Sequence, residues 1–237
     1  MSRLYSELAA IYHEMYPKLI DYDREFEFYH AVLSKCSCTH LLEIACGSGL
    51  LSQRFLEANY HFCGLDLSEE MLAIARQTLG QGRFIRGDMR NLPCKQTFDA
   101  VILTGRSLVY LIHNQEIHDT FKGIHDILKT DGKLIFDCFG AETIFSNFSP
   151  TSEQKVELVD KTITRFNKVS PNLETGWTFN WYATYVVEQA GCRQKYDDFA
   201  VLRAFTKDEL SLFLKWNGFN VLEIIEEKVI KVIAERK

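Results

Sequence analysis

The apolar run Leu41, Leu42 and Ile44, interrupted by Glu43 and closed by Cys46-Gly47-Ser48-Gly49, reads as a buried strand that turns sharply into a helix. A helical pattern follows through Ala58, and His61 to Leu65 forms a second strand ending at Asp66. The alternation continues, with strands near 41–45, 61–66, 83–87, 99–103 and 132–138 and helices near 48–58, 68–79 and 114–129. Such alternation predicts right-handed crossovers, a parallel sheet covered on both faces, and ligands at the carboxyl ends of the strands.

Both flanks depart from this rhythm. Residues 3–36 are patterned as two helices interrupted near Pro17 to Tyr22, and they carry Tyr5, Tyr12, Tyr16, Tyr22 and Tyr29. After Gly140 the period becomes two. Phe179, Trp181, Ala183, Tyr185 and Val187 share one face with Trp177, while Thr178, Asn180, Tyr182 and Thr184 share the other. Extended segments near 155–169 and 193–204, with turns at Pro171-Asn172 and Gly191, make 141–205 an antiparallel β insertion. Thr206 and Glu209 form a capping box for a helix through Trp216, and Phe219 to Ile225 and Lys228 to Ala234 follow as two strands. The chain reads as one domain: N-terminal helices over 1–37, an α/β core over 38–140, the insertion over 141–205 and a C-terminal helix and hairpin over 206–237.

The chemistry concentrates after the first strand. Gly47 and Gly49, two apart, let a ligand approach where a Cβ would clash, and Asp66, about 20 residues beyond, is spaced to meet a ribose diol. A dinucleotide loop carries a third glycine where this chain has Ser52. Glu43 is poorly suited to a pyrophosphate and well suited to an ammonium group.

Glu43-Ile44-Ala45-Cys46-Gly47-Ser48-Gly49 resembles the glycine loop of the class I S-adenosylmethionine-dependent methyltransferases, which commonly reads (Asp/Glu)-x-x-(Ala/Cys)-Gly-x-Gly. Gly64-Leu65-Asp66-Leu67-Ser68-Glu69-Glu70-Met71-Leu72 is similar to the family's second motif and Gly87-Asp88-Met89 to its third. The resemblance is specific over residues 38–140 and extends elsewhere as general layout. Within the family the chain looks most like small-molecule enzymes that dimethylate amino sugars and bacterial members of unassigned function.

The resemblance implies a Rossmann-like, doubly wound seven-stranded sheet whose last strand is antiparallel. It also implies S-adenosyl-L-methionine as co-substrate. Glu43 would attract its ammonium through water, and the backbone of Ala45, Cys46, Gly47, Ser48 and Gly49 would receive its carboxylate. Asp66 would hold the ribose and Asp88 the adenine amino group, with Leu67, Met71 and Met89 in apolar contact, while Thr104, Tyr12 and Tyr22 close the pocket. Asp88 also reads as a turn residue, and the tyrosines as ordinary helix packing.

An in-line methyl transfer needs no nucleophilic side chain, so the catalytic residues stay unassigned. Acceptor-site candidates are Arg106, which could hold a carboxylate or phosphate or simply pair with a nearby acid, together with Tyr110, His113 and Tyr182. His118 and His125 read as helix-surface residues flanking Phe121 and Leu128. The insertion, through Trp181, Tyr182 or Tyr185, either roofs the acceptor pocket or packs on the main domain or a second subunit as a homodimer contact. The segment at 103–110 lacks the Asn/Asp-Pro-Pro-Tyr/Phe signature that resembling nucleobase enzymes carry.

Composition narrows the partners. A net charge of −5 and the lack of a long basic run disfavour a broad phosphate-neutralising surface. No 18-residue apolar stretch exists, and the N-terminus mixes tyrosines and charges, so a cytoplasmic, non-membrane protein is expected. Seven cysteines, with Cys46, Cys63 and Cys138 in or beside core strands, suit reduced thiols, and Cys36-x-Cys38 without a second pair predicts no metal. Beside a small-molecule N- or O-methyltransferase, three other readings stay open: a cofactor-binding protein without catalysis, a tRNA-modifying methyltransferase, and an NAD(P)-dependent oxidoreductase.

Overall fold

The computed structural model describes residues 2–80, 83–146, 149–172 and 174–237. After α1 (Ala9–Met15) and α2 (Tyr22–Lys35) the core runs β1 (His40–Ile44), α3 (Ser52–Glu57), β2 (His61–Asp66), α4 (Glu69–Leu79), β3 (Arg83–Arg86), β4 (Phe98–Leu103), α5 (Asn114–Ile127) and β5 (Leu128–Cys138). A short α6 (Ala141–Ser146) leads into β6 (Thr151–Glu157), β7 (Lys161–Pro171), β8 (Thr178–Gln189) and β9 (Cys192–Arg203). The chain closes with α7 (Lys207–Trp216), β10 (Phe219–Glu226) and β11 (Ile230–Arg236).

Seven strands form one sheet in the order β10-β11-β5-β4-β1-β2-β3, with β1 to β5 parallel and β11 antiparallel to both neighbours. Alternation along each strand decides which layer a residue serves. Leu42, Ile44, Val101, Leu103, Leu134 and Phe136 pack beneath α5 and α7 with Phe121, Ile124, Leu210 and Leu214. Leu41, Ala100, Ile102 and Ile135 meet Tyr29, Leu33, Phe55 and Leu72 on the opposite side. Local signals set the helix ends: the Ser68 hydroxyl accepts from the Met71 N–H at 3.1 Å to start α4, and Gly80 stops it at φ +58.

The insertion is a second, four-stranded antiparallel sheet, β6-β7-β8-β9. Its inner face, with Val156, Ile163, Ala183, Tyr185 and Val187, packs on Leu4, Leu8 and Met15 at the N-terminus.

Three local expectations differ. The segment read as one strand near 155–169 is two strands, because the chain reverses at Leu158-Val159-Asp160, a turn with neither glycine nor proline to announce it. The insertion opens with α6 rather than a strand. At α7 only half of the capping box forms: Thr206 accepts from the Glu209 N–H at 3.2 Å, while the Glu209 carboxylate pairs with the buried Arg203 instead of reaching back.

Candidate active site

β1 is flanked by β2 on one side and β4 on the other, so the chain changes winding direction between β1 and β4 and leaves a crevice beyond their carboxyl ends. Both loops bordering the crevice are wound left-handed. Gly47 (φ +55) and Gly49 (φ +82) do so freely, but Ala45 (φ +58) and Arg106 (φ +61) are non-glycine residues held in a sparsely populated region.

Three carboxylates from different strands face this crevice. Glu43 is 1% exposed; its Oε2 accepts from the Ser52 hydroxyl at 2.5 Å and its Oε1 from the Thr104 hydroxyl at 3.0 Å. Among the described residues no cation lies within salt-bridge distance of it, and burial raises its pKa to about 7 against the pull of those two hydroxyls. Asp66 accepts from the Gly47 N–H at 2.8 Å and the Ser68 N–H at 2.9 Å; burial pushes its pKa up while these donors oppose the rise. Asp137, near the end of β5, is buried and accepts from the Arg106 N–H at 2.8 Å. Burial raises its pKa too, partly offset by the Arg106 charge.

The crevice opens into a cavity of about 800 Å³ that reaches from Asp88 and Met89 past the glycine loop to the inner face of the second sheet. Tyrosines dominate the far end. Tyr12 and Tyr16 stack with ring centroids 3.9 Å apart, the Tyr5 and Tyr110 hydroxyls lie 2.8 Å apart, and Tyr185 and Trp181 close the side formed by β8. His13 of α1 ties this wall to the glycine loop through Nδ1, 2.9 Å from the Ser48 hydroxyl.

A family model described as a methyltransferase domain matches residues 41–132. A protein of Geobacillus sp. (strain WCH70), named as a methyltransferase, is 30% identical over 196 residues, covering 78% of this chain and 75% of that protein. The chain belongs to the class I S-adenosylmethionine-dependent methyltransferases. A dTDP-3-amino-3,4,6-trideoxy-alpha-D-glucopyranose N,N-dimethyltransferase of Streptomyces venezuelae is 31% identical over 97 residues, 41% of each chain. The fold is shared nearly end to end with CalS10, an amino pentose methyltransferase from Micromonospora echinaspora solved with S-adenosylmethionine bound, at TM-score 0.83 and 20% identity over 96% of this chain and 97% of that one. The alignments span about half the length of several of the curated relatives.

The site of this methyltransferase fits its co-substrate on chemical grounds. Glu43 is a buried carboxylate facing the cavity with only hydroxyl partners, a fitting counter-charge for an ammonium. A Cβ at Gly47 would meet nothing within 4 Å, so the loop backbone is open to a ligand. Tyr12, Tyr22, Ala45, Cys46, Ser48, Leu67 and Thr104 line the same cavity.

Several candidates stand elsewhere. Gly49 is off the cavity: it faces α4, where a Cβ would lie 2.7 Å from Leu79 Cδ1. Met71 is fully buried in the first turn of α4 and does not line the cavity either. Asp88 lies at the cavity, but its carboxylate accepts from the Arg90 N–H at 2.9 Å and from the Arg90 guanidinium, so the turn role accounts for its present contacts. The Arg90 hydrogen bonds and charge hold Asp88's pKa low against partial burial, while Glu116 pairs with the same guanidinium.

On the acceptor side Arg106 and Tyr110 face the cavity, whereas His113 is an exposed residue at the start of α5. Tyr182 is 45% exposed on the outer face of the second sheet, its ring tilted against Phe199 at 4.7 Å between centroids, because the alternation that turns Trp181 and Ala183 inward turns it out. His118 and His125 pack on Trp216 and Phe219.

Sequence reasoning passed over Asp137, Arg165 and His13. Asp137 had a signal, as an acid inside the apolar run Leu134 to Cys138. Arg165 shares the inward register of Ile163 on β7, and that register became legible only once β6 and β7 separated. Nothing in the sequence singles out His13. Among the described residues there is no cluster suited to a metal, and all seven cysteines are unbridged.

Proposed function

We propose that this methyltransferase acts on a nitrogen or oxygen of a small molecule enclosed between the α1 tyrosines and the inner face of the second sheet. The supporting observation is the cavity itself, one continuous space bordered at one end by Asp66 and Glu43 and at the other by Trp181, Tyr185 and Arg165. Its volume lies in the range of small-molecule sites, about 300–1,000 Å³. The amino-sugar relative makes nitrogen the first atom to test.

When bound, S-adenosylmethionine would supply an electrophilic methyl: the acceptor's lone pair would form the new bond to that carbon as the carbon–sulfur bond breaks, with S-adenosylhomocysteine as leaving group and release of the acceptor's proton. The chain's own part is to orient and to exclude water. Asp66, preset by the Gly47 and Ser68 N–H groups, accepts from the ribose hydroxyls, and Glu43 balances the ammonium. The tyrosine wall offers ring faces to positive charge, worth roughly 0.5–2 kcal/mol each. Holding two reactants in line contributes effective molarities of about 10⁵ M or more, so positioning suffices without a nucleophilic residue.

Purified protein should gain thermal stability with S-adenosylhomocysteine, and Asp66→Ala should lose that gain. An undiminished gain in Asp66→Ala would remove the ribose assignment. Formation of S-adenosylhomocysteine with a panel of amines and hydroxyl compounds then identifies the acceptor class. Turnover with tRNA and none with the small molecules would refute the proposed acceptor, and tighter binding of NADH than of S-adenosylhomocysteine would refute the co-substrate.

A further inference from the structure

Two arginines line the far half of the cavity, and their surroundings differ in kind. Burial alone would lower the pKa of Arg106, but Asp137 and Glu25 outweigh it, so its pKa is raised and its charge has acidic company. Its guanidinium lies over the Phe139 ring, 5.9 Å from the centroid.

Arg165 is 7% exposed and has no such company. Its Nε donates to Gln154 Oε1 at 2.9 Å and its Nη1 to the Tyr16 hydroxyl at 2.7 Å, and a second nitrogen also reaches Gln154. Tyr185 stands opposite it on β8, and the Tyr16 and Trp181 rings lie 5.4 and 6.0 Å from its Cζ. All of these partners are neutral. Among the described residues no carboxylate lies within 4.0 Å of it, whereas the other deeply buried arginine, Arg203, is paired with Glu209.

An uncompensated buried cation is costly, several kcal/mol even after relaxation, unless something anionic shares its site. Here the guanidinium is fixed in direction by Gln154 and Tyr16 and borders a cavity with room for that anion. A planar fork held in this way matches the two oxygens of a carboxylate or phosphate.

We propose that Arg165, with Gln154, Tyr16 and Tyr185, forms a recognition subsite for an oxyanion carried by the acceptor, so that the substrate is a zwitterionic or phosphorylated amine or alcohol rather than a neutral one. This rests on the small-molecule reading above and specifies it. The anion docks against β7 in the insertion, and the atom to be methylated lies toward the glycine loop. Arg165 is a specificity residue and touches no reacting atom.

The test uses the full-length protein saturated with S-adenosylhomocysteine, titrated with sodium phosphate, sodium diphosphate or sodium acetate against sodium chloride at matched ionic strength. The unfolding midpoint of the wild type should rise with at least one oxyanion, by about 3–6 °C at ten times its dissociation constant. Phosphate or diphosphate alone points to a phosphorylated acceptor, and acetate alone to a carboxylate. Arg165→Gln should lose the oxyanion shift while keeping the shift due to S-adenosylhomocysteine, and Arg165→Lys should retain part of it. The inference is overturned if no oxyanion raises the wild-type midpoint above chloride, or if Arg165→Gln responds as the wild type does. Loss of S-adenosylhomocysteine binding in the wild type would instead strike the underlying methyltransferase site, so the two failures are distinct.

Discussion

With Glu43 balancing the ammonium as proposed, co-substrate binding is expected to be linked to a proton near neutral pH. In the free protein burial holds its pKa at about 7, so the group is about half protonated there. Only the ionised form balances an ammonium, and binding therefore releases a proton whenever Glu43 carries one. With full ionisation in the complex, affinity scales as the ionised fraction and rises about 15-fold between about pH 5.5 and 7, or about 1.6 kcal/mol. The ligand's own amine, with an α-amino pKa of about 7.7–8.0, stays protonated over that window.

The sign of stability follows from the same shift. A raised folded-state pKa means that the free protein loses stability as pH climbs from about 4.5 through about 7, and the bound protein recovers it. Calorimetric titration with S-adenosylhomocysteine in two buffers of different ionisation enthalpy reads the released proton directly. Glu43→Gln should bind more weakly at pH 7 and lose the steep part of the pH dependence. A wild-type affinity flat across this window, or an identical slope in Glu43→Gln, would refute the argument.

Ser52→Ala removes the 2.5 Å hydroxyl donor to Glu43, so the midpoint of the pH dependence should move upward while the fold is retained, as followed by the same titration. Gly49→Ala places a Cβ against Leu79 and Ala75 of α4 at a φ of +82°, and should cost about 1–3 kcal/mol in urea denaturation. Phe55→Ala empties a fully buried site among Tyr29, Phe26 and Phe62 and should cost about 3–5 kcal/mol; a loss below 1 kcal/mol would mean that this face of the sheet collapses around the gap.

The core was legible because its signals are local. The run through Glu43, the Gly47 and Gly49 pair and the tip acid Asp66 each follow from strand and turn chemistry acting within a few residues. The acceptor side is assembled from β5, the N-terminal helices and the insertion, segments up to 196 positions apart where Ser2 meets Asp198, and no local pattern encodes such meetings. Tyr182 shows the cost of one unresolved parity. The resemblance to enzymes whose insertion roofs the acceptor made it a candidate, whereas its register opposite Phe199 turns it to the outer face. Gly49 shows a second use of a glycine: at φ +82° a Cβ would press on Leu79 and Ala75, so its absence serves the seating of α4.

The Glu43 carboxylate also has a mechanical consequence. It joins Ser52 on α3 to Thr104, and Thr104 opens the left-handed turn that carries Arg106. Neutralising the ligand's ammonium leaves this acid fully charged, which strengthens its grip on Thr104 and firms the neighbouring loop. On the proposed role of Glu43, the expected consequence is an ordered sequence of arrival with the donor first, which product-inhibition kinetics would check.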